Sequence, residues 1–329
     1  MSRVIWTMGC KKIDKESELE KIFKDDNYIG QKKIKGIRAI MHILPDGSLK
    51  FTTRGASIDN PDVPIEITHR LQHLTKHKIE DLAGVVLDCE MWSPDLDDSE
   101  IAGKLNYKST VEVPTSIHPY FFDIICGING SMLNEIPLGK RLIILDAIIY
   151  ILQSKNLDWV HSVPCVSTEK YKRMYLQELL QSGEEGMVFK NLNSKYIYTE
   201  KGSKSKKAGH WYKYKKKDTV DAIITGATPP EQFYKDQSTG TYDTNRNTKP
   251  WLMGWFGSLN FEFEDKDGNK FTGSCSGITD EMKNLLSNGS WGVKQEYIGR
   301  TIEVEFFERN KYGNCEHPRF IRLREEIEK

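Results

Sequence analysis

The segment QKKIKGIR, residues 31–38, has the composition of a phosphate-reactive site, because three lysines and an arginine surround one glycine. A lysine amine attacks phosphorus only after it loses its proton, and neighbouring cations favour that loss. Gly36 allows a tight turn that lets the backbone approach a phosphate. The segment therefore offers Lys32 and Lys33 as candidate nucleophiles.

Further clusters follow along the chain, and their residue types suit a nucleotide with a metal ion. Carboxylates bind hard cations such as Mg²⁺, aromatic rings stack on bases, and fixed cations stabilise phosphate oxygens. Because side chains alternate along a strand, we expect Phe121 in the core and Phe122 on the opposite face. The clusters are TTRGA with Arg54, VVLDCEM with Asp88 and Glu90, YFFDII with Phe122 and Asp123, EEGMVFK with Glu185 and Lys190, and WYKYKKK with Lys213 and Lys215.

The chain from 28 to about 216 alternates short β-branched runs with helix-like stretches. Ser167 is the predicted cap of a helix over 167–181. The apolar run 142–152 predicts a core helix, because it is too short to span a membrane. These features predict an α+β domain with antiparallel sheets, which we place at residues 1–217.

The sequence pattern changes after residue 217, where short predicted strands are separated by turns. One helix is predicted at about 279–288, with Thr279 as its cap. Asp267-Gly268 is a hairpin signal. The pattern predicts an all-β barrel of the OB type over 218–329. Its first two strands are separated by a polar insertion at 228–254, and an insertion this long in a compact barrel is usually functional or disordered.

Charge and cysteine content constrain the partners and the compartment. Lys plus Arg equals Asp plus Glu at 47 each, so a polyanion must be met by a local patch. Residues 201–217 supply such a patch, with eight lysines and no acid. Six cysteines without CxxC spacing, and no hydrophobic leader, predict free thiols in a reducing compartment. We expect an intracellular protein without a membrane segment.

The clusters, in this order and spacing, resemble the covalent nucleotidyltransferase superfamily and, within it, the small ATP-dependent DNA ligases of viral or phage type. KIKGIR aligns with the pattern K-x-D-G-x-R, which makes Lys33 the nucleophile and puts Lys35 where the family carries an aspartate. The closing segment EHPRFIRLREE resembles the end of that family's OB domain. Arg324 aligns with its R-x-D-K motif, whereas Glu326 and Ile327 depart from it.

The resemblance implies an ATP-grasp-like nucleotidyltransferase domain followed by an OB fold, and a reaction in three steps. Lys33 attacks the α-phosphorus of ATP and holds AMP, AMP passes to the 5′-phosphate of a nick, and the 3′-hydroxyl then displaces it. The implied cofactors are ATP and Mg²⁺ or Mn²⁺, and the implied partner is nicked duplex DNA. The implied setting is a monomer in bacterial or phage-infected cytoplasm, or in a viral factory or nucleus.

The roles implied for individual residues follow the family's motifs. Catalysis falls to Lys33, Lys213, Lys215 and Arg38. Nucleotide binding falls to Gln31, Lys32, Arg54, Glu90, Phe122, Glu185, Lys190 and Arg324, with Glu90 and Glu185 also as metal ligands. DNA binding falls to Arg38, Arg54, Lys216, Lys217, Lys235, Arg246 and Lys249. We expect Glu90 or Glu185 to replace the carboxylate that is missing at Lys35.

The insertion 228–254 stands where minimal viral ligases carry a DNA-clasping latch, and we expect it to fold on DNA. The alternative is a merely variable loop. Rival functions are an RNA ligase, a GTP-dependent capping guanylyltransferase, or a non-catalytic nucleic-acid clamp that lost its chemistry through Lys35 and Ile327. Covalent labelling by ATP separates these, because a clamp takes no label and a capping enzyme takes GTP.

Overall fold

Short strands dominate both parts of the chain, as the β-branched runs predicted. The computed structural model describes residues 5–56, 63–198, 207–235, 241–310 and 312–324. It divides into two compact units, Met1–Lys215 and Lys216–Lys329, just before the boundary predicted after Lys217. Glu326, Ile327 and residues 201–206 of the predicted lysine patch lie outside the described residues.

Strands and helices alternate irregularly in the first unit, as expected of an α+β domain. The strands are β1 (Gly9–Lys12), β2 (Tyr28–Lys32), β3 (Ile37–Ile43), β4 (Leu49–Ala56), β5 (Pro64–Glu66), β6 (Val86–Trp92), β7 (His118–Cys126), β8 (His161–Ser162), β9 (Cys165–Val166), β10 (Gly186–Asn191) and β11 (Lys207–Lys215). The helices are α1 (Glu16–Lys24), α2 (Gln72–Thr75), α3 (Asp98–Leu105), α4 (Leu138–Ser154) and α5 (Glu169–Gln181).

Two sheets form the layers of this unit. One has the order β5-β4-β3-β6-β7-β8 and the other the order β1-β11-β10-β2-β9. The antiparallel prediction is confirmed for most pairs, but the edge pairs β7–β8 and β1–β11 are parallel. Lys190 in β10 donates a hydrogen bond of 3.1 Å to the carbonyl oxygen of Phe122 in β7, so the two sheets face each other there.

The hydrophobic alternation of β7 decides which of its aromatic rings is structural. Phe121 is fully buried in the main core, as predicted, while Phe122 lies on the opposite face and is half-buried. Asp123 and Arg141 form a fully buried ion pair with N–O distances of 2.8 and 2.9 Å, which ties β7 to α4. The ion pair with α4 therefore fixes the position of β7 and of the strand face that carries Phe122.

The two predicted helices of this unit are present, with one correction at a cap. The core helix predicted at 142–152 is α4, whose Asp146 is exposed. The cap of α5 is Thr168, not Ser167, because the Thr168 hydroxyl accepts the 3.4 Å hydrogen bond from the backbone N–H of Tyr171. The hydroxyl that reaches the third helical N–H is thus one residue later than predicted.

The second unit is a small β-barrel with one hairpin inserted in it. Its elements are β12 (Asp218–Thr228), β13 (Phe233–Lys235), β14 (Tyr242–Asn247), α6 (Lys249–Leu252), β15 (Ser258–Glu264), β16 (Lys270–Cys275), α7 (Asp280–Leu286), β17 (Thr301–Phe306) and β18 (Arg319–Leu323). The barrel strands have the order β16-β15-β12-β17-β18, and a bridge from Ser276 to Arg319 joins the two edges. The five predicted strands, the hairpin turn with Gly268 at φ +82° and the Thr279 cap of α7 are all present.

The insertion predicted at 228–254 holds secondary structure that its polar sequence did not suggest. β13 and β14 pair antiparallel as a separate two-stranded sheet, and α6 follows them. Residues 236–240, between the two strands, lie outside the described residues. The expectation that the insertion folds on DNA stays a prediction.

Candidate active site

Lys33 lies in the loop between β2 and β3, where backbone contacts fix its position. Its backbone N–H donates a 3.0 Å hydrogen bond to the carbonyl oxygen of Gly186, at the start of β10. Gly36 follows three residues later, and a Cβ on it would lie 2.2 Å from the carbonyl oxygen of Met91. Only glycine fits that approach, so the loop is held against both sheets.

The Glu185 carboxylate links two of the predicted catalytic lysines. One of its oxygens pairs with Lys33 Nζ and the other with Lys215 Nζ. Burial by itself raises the pKa of Glu185, but the two ammonium groups outweigh it and hold the pKa below its usual range. At neutral pH Glu185 is therefore an anion that keeps both lysines close together.

A cavity opens beside Lys33, between the faces of the two sheets. Carboxylate, amide, aromatic and cationic groups all contribute to its wall, a mixture that suits a nucleotide. Among the predicted residues, those that line it are Gln31, Lys32, Lys33, Arg38, Arg54, Glu90, Phe122, Lys190 and Lys213. Cys10, Ile34, Val163, Val188 and Trp211 complete the lining.

Lys190 sits between two aromatic rings inside the cavity. Its Nζ lies 4.3 Å from the ring centroid of Phe122 and 4.0 Å from that of Trp211. Burial lowers the pKa of Lys190 to about 8, because the charged amine has lost most of its water. The site thus offers aromatic surface and a cation at the same place.

Gln31 brings a free acceptor into the cavity wall. Its Nε2 donates hydrogen bonds to the carbonyl oxygen of Val163 (3.3 Å) and to Cys165 Sγ (3.0 Å). Its Oε1 is buried and has no partner among the described residues. A buried acceptor without a donor is costly, so this oxygen is matched to a donor that a ligand would bring.

Arg38 is fixed by a buried network below the cavity. Its guanidinium makes two hydrogen bonds to the Asp88 carboxylate, at 2.9 and 2.5 Å, and a third of 2.7 Å to the carbonyl oxygen of Met8. The Tyr196 hydroxyl donates to the same carboxylate. Most of the donors of Arg38 are thus engaged inside the protein.

Glu90 stands on β6 directly across from Arg38 on β3. Burial raises its pKa to about 7, although the nearby charges of Lys33, Arg38 and Arg54 act in the opposite direction. Glu90 and Glu185 are the predicted metal ligands. No group of three or more His, Cys, Asp or Glu side chains in the described part of the chain is arranged to hold a metal. Two carboxylates suit Mg²⁺, which keeps several waters and takes further ligands from phosphates.

The other lysines of the QKKIK segment are paired away from the cavity centre. Lys32 Nζ lies 2.6 Å from Glu184, the neighbour of Glu185. Lys35 Nζ lies 3.5 Å from Asp98, the first residue of α3, and Lys35 does not line the cavity. The lysine that departs from the family pattern therefore points to a helix terminus rather than to the nucleotide position.

Arg54 and Lys213 differ from these lysines because neither forms an ion pair with a described residue. Arg54 is exposed and also lines a second cavity that shares Arg38 and Glu90 with the first. Burial lowers the pKa of Lys213, and the charges of Lys33 and Lys215 lower it further. These two cations are available to phosphate oxygens.

The predicted residues of the second unit lie on its strands and on the insertion. Arg324 pairs with Asp221 at 2.9 Å and with Glu303 at 3.6 Å, and Lys217 pairs with Glu305 at 3.0 Å. The cations of the insertion, and Lys216, are all exposed or on the hairpin surface. Arg246 lies 4.2 Å from the Tyr234 ring, Lys235 lies 5.0 Å from the Tyr242 ring, and Lys249 pairs with Asp280 at 2.5 Å.

The sequence interpretation missed three residues of the first site. Trp211 precedes Lys213 by two positions on β11, so strand alternation could have placed it on the cavity side. Cys10 lines the cavity and Tyr196 binds Asp88, but neither stands in a cluster with a chemical signature. Only the fold brings these two residues to the site.

Two facing sheets with Lys33 in the lining of the cavity between them, followed by an OB barrel, are the architecture of a covalent nucleotidyltransferase. Residues 8–215 match the family model of the ATP dependent DNA ligase domain, and the chain belongs to this family. The match does not favour an RNA ligase or a capping enzyme. In the described residues there is no helix with the length and apolarity to cross a membrane.

Curated relatives include DNA ligase 1 of Dictyostelium discoideum, 26% identical over 291 residues that make up 81% of this chain and 22% of the relative. The SPbeta prophage-derived DNA ligase-like protein LigB of Bacillus subtilis is 26% identical over 226 residues, which cover 67% of this chain and 73% of the relative. The chain spans between about a fifth and about a third of the length of the first curated relatives it matches.

Solved structures show the same fold. Pmar-Lig_PreS3 has a TM-score of 0.66 at 17% identity, and the match covers 97% of this chain and 68% of the Pmar-Lig_PreS3 chain. A second structure, from a structure-function analysis of Lig E DNA ligases, has a TM-score of 0.59 at 15% identity. The match covers 97% of this chain and 99% of the Lig E chain. The α+β domain and the OB fold are confirmed by these likenesses.

Proposed function

We propose that the chain is an ATP-dependent DNA ligase that seals nicks with a 3′-hydroxyl and a 5′-phosphate through a lysyl-AMP intermediate. The observation that carries this is Lys33, fixed at the mouth of a cavity and joined to Lys215 by the Glu185 carboxylate. Phe122, Lys190 and the rest of the cavity wall supply the groups that a nucleotide needs.

The first step forms a bond from Lys33 Nζ to the α-phosphorus of ATP and breaks the bond from that phosphorus to the bridging oxygen, releasing pyrophosphate. In the free chain Lys33 Nζ is paired with the Glu185 carboxylate. Attack therefore requires that Lys33 leave this ion pair and act as a neutral amine. A Mg²⁺ held by Glu90 and Glu185 would neutralise charge on the phosphates.

The base is read by the inner wall of the cavity. Phe122 and Trp211 offer ring surface, and stacking contributes about 1–3 kcal/mol per base. The unpartnered Oε1 of Gln31 accepts a hydrogen bond from the exocyclic amine of adenine. Guanine carries an oxygen at that position, so an acceptor there would disfavour GTP.

The phosphates are held by cations of the cavity wall. Lys213 and the buried Lys190, whose amine donates to the carbonyl oxygen of Phe122, both line the cavity, and Arg54 also lines the second cavity. Arg54 suits the 5′-phosphate of the nick, because its guanidinium forms no ion pair with a described residue and can make a bidentate contact. Arg38 keeps its two bonds to Asp88 and acts as a fixed positive charge below the phosphate.

Duplex DNA is gripped by the second unit through its exposed cations. Lys235 and Arg246 each lie against a tyrosine ring of the β13–β14 hairpin, and both are exposed. Lys216 is exposed as well, whereas Lys217 and Lys249 would have to leave their pairs with Glu305 and Asp280 to bind phosphate. Contacts of this kind bind the sugar-phosphate backbone without reading sequence.

Labelling with α-³²P nucleotides tests the proposal. The protein is incubated with Mg²⁺ and labelled ATP or GTP, and one portion is then chased with nicked duplex DNA or an all-RNA nick of the same sequence. Portions taken before and after the chase are resolved on a denaturing gel. We expect an acid-labile adduct with ATP alone, which nicked DNA discharges as sealed strand and free AMP. A label from GTP alone would indicate capping, discharge only by the RNA nick would indicate an RNA ligase, and no label at all would indicate a clamp.

A further inference from the structure

Trp291 has a backbone conformation that is unusual for its residue type. Its φ angle is +62°, in the left-handed region that bulky residues rarely adopt. The turn around it is fixed by Asn288, whose backbone N–H donates to the carbonyl oxygen of Gly292 (2.9 Å) and whose side chain accepts from the N–H groups of Ser290 and Gly292. A strained tryptophan in a fixed turn indicates that its position matters.

The contacts of Trp291 are with the end of the insertion. Its ring stacks on Trp251 of α6 with centroids 4.0 Å apart and planes at 19°. Its Nε1–H donates to the carbonyl oxygen of Trp251, and its backbone N–H donates to the carbonyl oxygen of Gly254, both at 3.0 Å. One residue thus binds α6 by a ring and a side-chain donor, and binds Gly254, just after α6, by a backbone donor.

The helix held in this way is the base of the β13–β14 hairpin. Thr248, the cap of α6, donates from its hydroxyl to the carbonyl oxygen of Glu231 (2.5 Å) and from its backbone N–H to that of Gln232 (2.8 Å), across the root of the insertion. Gly257 donates to Thr228 at 2.8 Å and closes the insertion at its other end. Trp291 therefore contacts α6, and α6 in turn is bonded to the root of the β13–β14 hairpin.

We infer that Trp291 is a positioning residue that locks α6 to the barrel and so sets the direction from which the β13–β14 hairpin meets DNA. This inference rests on the proposed DNA-binding function. An unlocked hairpin would keep its cations, but it would reach the phosphates in many orientations and lose part of its affinity to ordering entropy. Trp291 itself need not touch DNA.

Three substitutions separate the lock from a general effect on stability. Trp291→Gly removes the ring and also the backbone strain, because glycine adopts positive φ freely, so it does not depend on tolerance of alanine. Trp291→Phe keeps a stacking ring, and Phe307→Ala removes a half-buried aromatic ring elsewhere in the same unit as a matched control. Binding to nicked DNA is measured by fluorescence anisotropy from 50 to 300 mM salt, beside ATP adduct formation.

We expect Trp291→Gly to weaken nick binding about tenfold and to reduce the slope of log affinity against log salt by about 2, as if the two hairpin cations had lost their phosphates. Trp291→Phe should restore most of both, and Phe307→Ala should leave the slope unchanged. If Trp291→Gly binds nicks and forms the adduct but its salt slope is unchanged, the positioning role of Trp291 is wrong and the proposed function stands. Wild-type protein that neither forms the adduct nor binds a nick would overturn the proposed function instead.

Discussion

The charged groups of the two units differ in their exposure to solvent. In the first, Arg38, Asp88, Glu90, Glu185 and Lys190 are largely removed from water and meet one another at fixed distances. In the second, the hairpin cations and the Lys249–Asp280 pair are exposed. Buried charges interact strongly and shift one another's pKa, whereas exposed charges are screened by water and salt.

This difference matches two kinds of recognition. A small nucleotide requires a few groups held to within fractions of an ångström, which a closed network provides. A polyanion requires many loosely placed cations, and its binding is dominated by the release of counterions. Substitutions should accordingly act on adduct formation in the first unit and on salt-dependent nick binding in the second.

The largest effect should come from the nucleophile. Lys33→Ala should abolish the ATP adduct, and Lys33→Arg should do the same although it keeps the positive charge beside Glu185. Lys32→Ala should still form an adduct at a reduced rate, because Lys32 pairs with Glu184 instead. The denaturing gel described above measures all three. An adduct that survives in Lys33→Ala and disappears in Lys32→Ala would move the nucleophile by one residue.

Reversing the hairpin charges should give the next effect, confined to the second unit. Lys235→Glu with Arg246→Glu should weaken nick binding at least tenfold at 100 mM salt and flatten its salt dependence. Adduct formation should continue, since both residues belong to the other unit. Lys266→Glu with Lys270→Glu, at the exposed β15–β16 hairpin, serves as the charge-matched control. Equal losses in the hairpin variant and in this control would show that only net charge matters.

The pH dependence of unfolding should distinguish the buried acid from an exposed one. The folded-state pKa of Glu90 is about 7, and that of a free glutamate is about 4.3. Between these values the unfolded chain is ionised while Glu90 stays protonated, so its contribution to stability falls as pH rises from 4.3 to 7.

Glu90→Gln should therefore raise the free energy of unfolding of the first unit at pH 8, by about 2 kcal/mol, and change it little at pH 4. Urea unfolding at both pH values checks this. Asp280→Asn, at an exposed ion pair, should shift stability by less than about 0.5 kcal/mol at either pH. A Glu90→Gln protein that is no more stable than the wild type at pH 8 would mean that folding does not raise the pKa of Glu90.

The smallest effect should come from the departure at Lys35. Because Lys35 pairs with Asp98 at the surface and does not line the cavity, Lys35→Ala should change the rate of adduct formation less than about fivefold. Lys155→Ala, which breaks the similarly exposed pair with Asp81, provides the control. Loss of the adduct in Lys35→Ala, but not in the control, would assign Lys35 a direct part in the chemistry.

Local patterns predicted the strands of the barrel, because alternation and turn residues act over short distances. The same reasoning separated Phe121 from Phe122. It could not predict that Gln31 would present an unpartnered oxygen, because its amide is turned by Val163 and Cys165, more than a hundred residues away. Nor could it predict β14, whose sequence YDTNRN lacks a hydrophobic alternation and is a strand because β13 pairs with it.

The Glu185 carboxylate shared by Lys33 and Lys215 also bears on side reactions of the Lys33 amine in a cell. A primary amine reactive enough to attack phosphorus is equally open to aldehydes, acyl phosphates and other electrophiles of metabolism. The Lys33 side chain is only 19% exposed and its Nζ is paired with the Glu185 carboxylate, so such electrophiles have limited access to the amine. If Lys33 is the nucleophile, as proposed, the resting protein shields it until the amine leaves the ion pair to meet a nucleotide.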